Sequence, residues 1–106
     1  MKERKPKVVE PLSQERLREE VTFLLGLIIK NYELAAILEE REQVPDFTAQ
    51  EGMMICVAGM ATEQAIQDQI NYIRSCGTKL DEFKAMFESV QLEAALDAAT
   101  PTKLAN

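Results

Sequence analysis

Histidine is absent from the 106 residues, and that one omission removes much acid–base and nucleophilic chemistry. Neither a Ser-His-Asp nor a Cys-His arrangement can be assembled from this chain. A ferritin-like di-iron centre needs Glu-x-x-His motifs facing one another across a bundle, and these are missing as well. Cys56 and Cys76 stand 20 residues apart and supply too few ligands for a Cys/His zinc site. Neither a P-loop nor a dinucleotide-binding glycine motif is present to cradle a phosphate. What remains in quantity is carboxylate.

Glu39, Glu40, Glu42 and Asp46 form an acidic patch, with Glu51 close behind. Oxygen ligands suit Mg²⁺ or Ca²⁺, and a patch of this sign also suits a basic partner. The plainer expectation is a solvated helix end partly paired with Arg41. Carboxylates at a helix C-terminus oppose the helix dipole, so their crowding there is a mild anomaly. Retaining glycosidases also use paired carboxylates, but four Phe, two Tyr and no Trp leave no aromatic groove for a sugar. Cys56 lies in an apolar run without a cationic neighbour, which suits a small buried hydrophobe better than a reactive thiol. Met53, Met54 and Met60 are expected to fill core, with an adaptable peptide- or ligand-binding groove as the alternative. No catalytic residue, cofactor or metal site is implied.

These side chains must be carried by helices. Residues 21–38, VTFLLGLIIKNYELAAIL, hold only two charges, Lys30 and Glu33, and their apolar residues point all round a helix axis rather than along one stripe. Leu17, Val21, Leu24, Ile28, Ala35 and Leu38 recur at heptad-like spacing, with Asn31 on the same seam. A polar residue in such a seam can set register or oligomer state. With Ser13 as N-cap and no proline before Pro45, one helix over 14–42 follows. Gly26 costs roughly 1 kcal/mol against alanine, which close approach of a neighbouring helix would offset. After a turn at Val44-Pro45-Asp46, Thr48 and Glu51 have the spacing of a capping box and open a second helix over 49–76. Gly77 ends it as a C′ residue. Its expected inward face is Met54, Ile55, Ala58, Thr62, Ala65, Ile66, Tyr72 and Ile73. A second box at Thr78 and Asp81 starts a third helix over 79–98, with Leu80, Phe83, Phe87, Val90 and Ala94 as its stripe. Strand and hairpin signals are missing.

The expected fold class is therefore all-α: a three-helix chain with a long antiparallel helical hairpin, assembling as a dimeric helical bundle. A single helical domain spans 13–99, between a flexible basic arm over 1–12 and a disordered tail over 100–106. The dimer follows from excess: 21–38 and 53–61 are each apolar on more than one side, and a third helix can cover only one of those sides. Phe23, Leu24, Leu27, Ile28, Asn31, Val57 and Met60 are the expected dimer or partner contacts.

The formal net charge of −6 disfavours nucleic acid, whose binding rests on phosphate attraction, except through Lys2, Arg4, Lys5 and Lys7 in the arm. No secretory leader precedes the helices, and two lone cysteines suit a reducing cytoplasmic setting. Lys30, Asn31 and Glu33 argue against a membrane span, since each would sit in hydrocarbon at a cost. The function class these features point to is a non-enzymatic dimeric interaction module (an adaptor, small chaperone or inhibitor) whose acidic surface meets a protein partner, basic in character if that surface is the contact. The alternative is an apolar-ligand carrier or small cofactor-less enzyme with a pocket at the dimer seam, lined by Met54, Cys56, Tyr72 and Phe83.

Overall fold

Three α-helices account for nearly all of residues 11–99, the part of the chain that the computed structural model describes: α1 (Gln14–Arg41), α2 (Ala49–Ser75) and α3 (Leu80–Ala99). No strand occurs among the described residues. The basic run at Lys2, Arg4, Lys5 and Lys7 and the tail over 100–106 lie outside them.

Local chemistry explains each helix end. The Ser13 hydroxyl oxygen accepts the Arg16 N–H at 3.1 Å, satisfying one of the amides that an N-terminus leaves unpaired. Leu12, one residue before that cap, packs against the core cluster that contains Leu17. This is the N′–N4 spacing of a hydrophobic staple, so Leu12 belongs to the helix start rather than to the arm. Thr48 Oγ1 accepts the Glu51 N–H at 3.1 Å, but the Glu51 carboxylate does not return to the Thr48 amide. It is held instead by Arg41, from Nε at 2.5 Å and from Nη2 at 3.0 Å. A bidentate guanidinium is the stronger partner. At the far end of α2, Gly77 takes φ +83°, a left-handed turn that a side chain would strain. The α3 cap is displaced by one residue from the expected Thr78–Asp81 pair: the Lys79 N–H donates to the Glu82 carboxylate at 3.3 Å.

The core is built at one end of the molecule. Leu17, Val21, Leu24 and Leu25 of α1 meet Ile73 of α2 and Met86 and Val90 of α3, with Ile28, Ile66, Ile70, Phe83 and Phe87 packed around them. The Phe83 and Phe87 rings stack with centroids 5.9 Å apart. α1 is the central element, since both other helices pack on it. Leu24 is only 1% exposed; it fills this chain's own core and is corrected from a partner contact to a core residue.

Two inward faces also differ from expectation. On α2, Met54 and Tyr72 are exposed, while Gln69 is buried in their stead. Met54 and Tyr72 lie about 100° round the helix from Ile55 and Ile73, at the margin of the contact stripe. On α3 the stripe is Phe83, Met86, Phe87 and Val90, with Leu80 and Ala94 exposed. Leu80 is the first residue of that helix and lies beyond the α1 surface that buries its neighbours.

Three polar ties link α1 to α2. Gln69 donates through Nε2 to the Glu20 carboxylate at 2.7 Å and to the Glu20 carbonyl at 3.0 Å. Thr62 Oγ1 lies 2.6 Å from Asn31 Oδ1 and 2.8 Å from the Gly59 carbonyl. The third tie is the Arg41–Glu51 pair. Gln69 is thereby buried without an orphaned group, as buried polar atoms require.

Candidate functional site

A helix i, i+4, i+7 spacing puts side chains on one face. Met53, Val57 and Met60 have that spacing, and all three are exposed, Val57 at 58% and Met60 at 67%. The expectation that the methionines fill core is overturned, as is a buried place for Cys56, which is also exposed. On α1, Phe23, Gly26, Lys30 and Ile37 share a face by the same periodicity. Phe23 is 58% exposed, and Ile37 is exposed as well. A Cβ built on Gly26 or on Gly59 would meet nothing within 4 Å. No helix of this chain approaches closely at either position. Gly52 differs, because a Cβ there would come within 2.9 Å of the Phe47 ring; the turn folds that ring over the start of α2.

The cause is geometric. Leu17, Val21, Leu24 and Leu25 are covered by α2 and α3 together, but every buried residue of α1 lies in its first half. Farther along, Ile29 and Tyr32 are exposed, Tyr32 at 73%. In α2 the buried residues are Gln69 and Ile73 alone, both near its end. The second half of α1 and the first half of α2 meet through Asn31–Thr62 and Arg41–Glu51, and among the described residues no third layer lies over them. Of the remaining residues expected at a partner contact, Leu27 and Ile28 are half-buried, and Ile28 packs on the core. Asn31 is half-buried and paired to Thr62 inside the chain. Its register-setting contact is intramolecular.

The acidic patch sits at the tip of this two-helix region. Glu39, Glu40, Glu42 and Asp46 are all exposed. Arg41 is drawn to Glu51, with Asp46 Oδ1 at 3.6 Å. The hydrogen bond from Arg41 holds the Glu51 carboxyl below its usual range, against the opposing effect of partial burial. The guanidinium is correspondingly raised, chiefly through the same bond. Arg41 also supplies the last-turn positive charge that offsets the dipole anomaly. Among the described residues, no group of three or more His, Cys, Asp or Glu is placed to hold a metal ion. Elsewhere, Arg16 pairs with Glu20, and Arg18 reaches across to Glu93 at 2.7 Å. The Tyr72 hydroxyl is pushed up, first by its hydrogen bond with Cys76 and by that thiol's charge, then by desolvation.

Within the single chain, Phe83 is the one of Met54, Cys56, Tyr72 and Phe83 that lines either of two depressions. Phe83 lines a cavity of about 190 Å³ with Ile70, Ile73, Arg74, Thr78 and Leu80. A wider depression of about 290 Å³ lies along α3 beside Gln14, Arg18 and Met86. Neither Gln69 nor Arg74 stood out from the sequence pattern. Gln69 continues the Ile55–Thr62–Ile66 stripe at helical spacing, and that periodic signal could have marked it despite its polarity.

Fold and surface together define an all-helical chain, a three-helix bundle at one end with a two-helix extension that keeps large apolar side chains in water. α1 is also long and apolar enough, by length and composition, to cross a membrane. Comparison with known proteins finds no matching family model, no similar curated protein and no matching solved structure.

Proposed function

We propose that this chain is a non-enzymatic interaction module that pairs with a second copy of itself through the antiparallel hairpin of α1 and α2. One observation carries the reading: Met53, Val57 and Met60 form an exposed apolar face on a helix that nothing else among the described residues covers. With Phe23, Ile29, Tyr32, Ile37 and Met54, eight large apolar side chains are exposed around the hairpin. Side chains of this size offer about 60–120 Å² each, from 1.5–3 kcal/mol at about 25 cal/mol/Å². Scaled by their exposures of 45–73%, the eight together offer about 300–600 Å², which brackets the apolar share, about 56–65%, of the roughly 800 Å² per partner in a standard protein interface.

Charge favours a second copy as the occupant. Across 29–38 and 53–62 only Lys30 and Glu33 are charged, so two hairpins meeting there stack no like charges. Twofold pairing is the commonest arrangement of identical subunits. Gly26 and Gly59, where a Cβ would meet nothing within 4 Å, are where a partner helix can come near. The acidic tip at Glu39, Glu40, Glu42 and Asp46 stays outside that contact and suits a basic protein partner, the role of an adaptor or inhibitor.

Sedimentation velocity tests the pairing. The expected result is a dimer for the wild type and a monomer of unchanged helicity for the double variant Val57→Glu, Met60→Glu. Both positions are exposed in the single chain, so the substitutions spare its core. A wild type that stays monomeric up to millimolar concentration overturns the proposal. So does wild-type protein that floats with phosphatidylcholine vesicles and shows no self-association, because the apolar surface would then serve a membrane.

A further inference from the structure

The cavity at the corner between α2 and α3 has a composition of its own. It is lined by the apolar Ile70, Ile73, Leu80 and Phe83 and by two polar residues, Arg74 and Thr78. Arg74 is exposed, and no carboxylate among the described residues lies within ion-pairing distance of it. Each of the other α1 and α2 arginines is engaged: Arg16 with Glu20, Arg18 with Glu93, and Arg41 with Glu51. The corner is shaped by Gly77, whose left-handed backbone lets the chain leave α2 and start α3 after a short turn, both helices packing on α1.

From this geometry we infer that the corner cavity binds a small apolar monocarboxylate, its hydrocarbon against Ile70, Ile73 and Phe83 and its carboxylate on Arg74 and Thr78. A planar guanidinium is matched to a carboxylate, to which it can donate two parallel hydrogen bonds. The size limits the body. An apolar cavity of about 150 Å³ accepts benzene, so about 190 Å³ takes a chain or ring of about six carbons. The charge limits the head. Asp81 and Glu82 lie in the same first turn of α3, and although the Glu82 carboxylate is occupied by the Lys79 amide, their field opposes a dianion. One cation and one hydroxyl balance a single negative charge, which disfavours a phosphate group. The same chemistry is offered by a free short-chain acid and by the C-terminal residue of a peptide ending in leucine. The cavity lies in the three-helix end of the fold, so this inference is independent of pairing through the hairpin.

The test is a titration of ¹⁵N-labelled protein, followed by amide chemical shifts, with hexanoate, its neutral counterpart hexanamide, and N-acetyl-leucine. Hexanoate is expected to move the Arg74, Thr78, Leu80 and Phe83 amides and to saturate with a Kd of about 1 mM, ordinary for so few atoms. Hexanamide should bind at least about tenfold more weakly, the worth of a charge-assisted hydrogen bond. Arg74→Gln should weaken hexanoate by a similar factor and leave hexanamide unchanged. Tighter binding of N-acetyl-leucine than of hexanoate supports a peptide terminus as the source, and the reverse supports a free acid. The inference is overturned if hexanoate leaves those four amides unmoved, or if acid and amide bind the wild type equally. The second comparison needs no variant and holds even if Arg74→Gln disturbs the fold.

Discussion

Leu24 and Met60 belong to runs of similar oiliness, yet one is 1% exposed and the other 67%. The end of the molecule around Leu24 has three helices, and the end around Met60 has two. A pair of helices can bury only the strip along which they touch, whereas a third helix laid over that strip closes a core. Met86 and Val90 of α3 pack with Leu17, Val21, Leu24 and Leu25 of α1, and every buried residue of α1 is in the first half. The comparison teaches that the exposed methionines are not a failure of patterning. They occupy the stretch for which the described residues supply no third layer.

Truncation at the two positions tests the contrast most directly. Leu24→Ala should cost about 2–5 kcal/mol, the range for emptying a filled core site. Met60→Ala should stay within about 0.5 kcal/mol in dilute protein. Thermal or urea unfolding of both variants measures the difference, and equal losses would break the comparison. A smaller effect is expected at Gly26. In the single chain a methyl group there meets only solvent, so Gly26→Ala should raise helix stability by about 1 kcal/mol. The same substitution should weaken the dimer if a partner helix approaches at that point. Unfolding at low concentration and sedimentation at high concentration separate the two effects.

The smallest effect sharpens the comparison at the tip of the two-helix end, where a polar contact stands in for packing. Glu51 is held below the ordinary carboxylate range by Arg41, so it binds a proton less readily folded than unfolded. Its contribution is present above the unfolded-state value and is lost as pH falls through the lower folded-state value. The expected outcome is a modest acid-side loss of stability that is shallower in Glu51→Gln, read from urea midpoints across the acid range. Solvent exposure of the pair keeps the effect small.

Much of this fold was legible in local chemistry. Ser13, Thr48 and Gly77 mark helix ends through hydrogen-bonding and backbone preferences that act over three or four residues, so their positions read directly from the chain. The helix ends lie within a residue of those expectations. The exposed Phe23, Val57 and Met60 were also legible, because counting apolar residues around a helix needs no tertiary information. Other assignments depended on which helix lies where. Leu24 looked like Phe23 in composition and spacing, and only the placement of α3 puts one inside and leaves the other in water. Asn31 pairs with Thr62 within the chain, because the turn at Pro45 brings those two positions to one level. Arg74 was unremarkable until the reversal at Gly77 set an apolar wall beside it.

The amino-acid sequence by itself determined three helices, their ends, and an apolar circumference too large for a single stripe on each. Those properties arise from capping, helix propensity and periodicity, which operate within a few residues. Only the tertiary structure decided where the surplus goes. α3 settles on the first half of α1, and α2 is without cover in the turns before Ile66, where Met53, Val57 and Met60 stand exposed. Burial is a property of distant segments meeting, and a chain read one residue at a time does not contain the meeting.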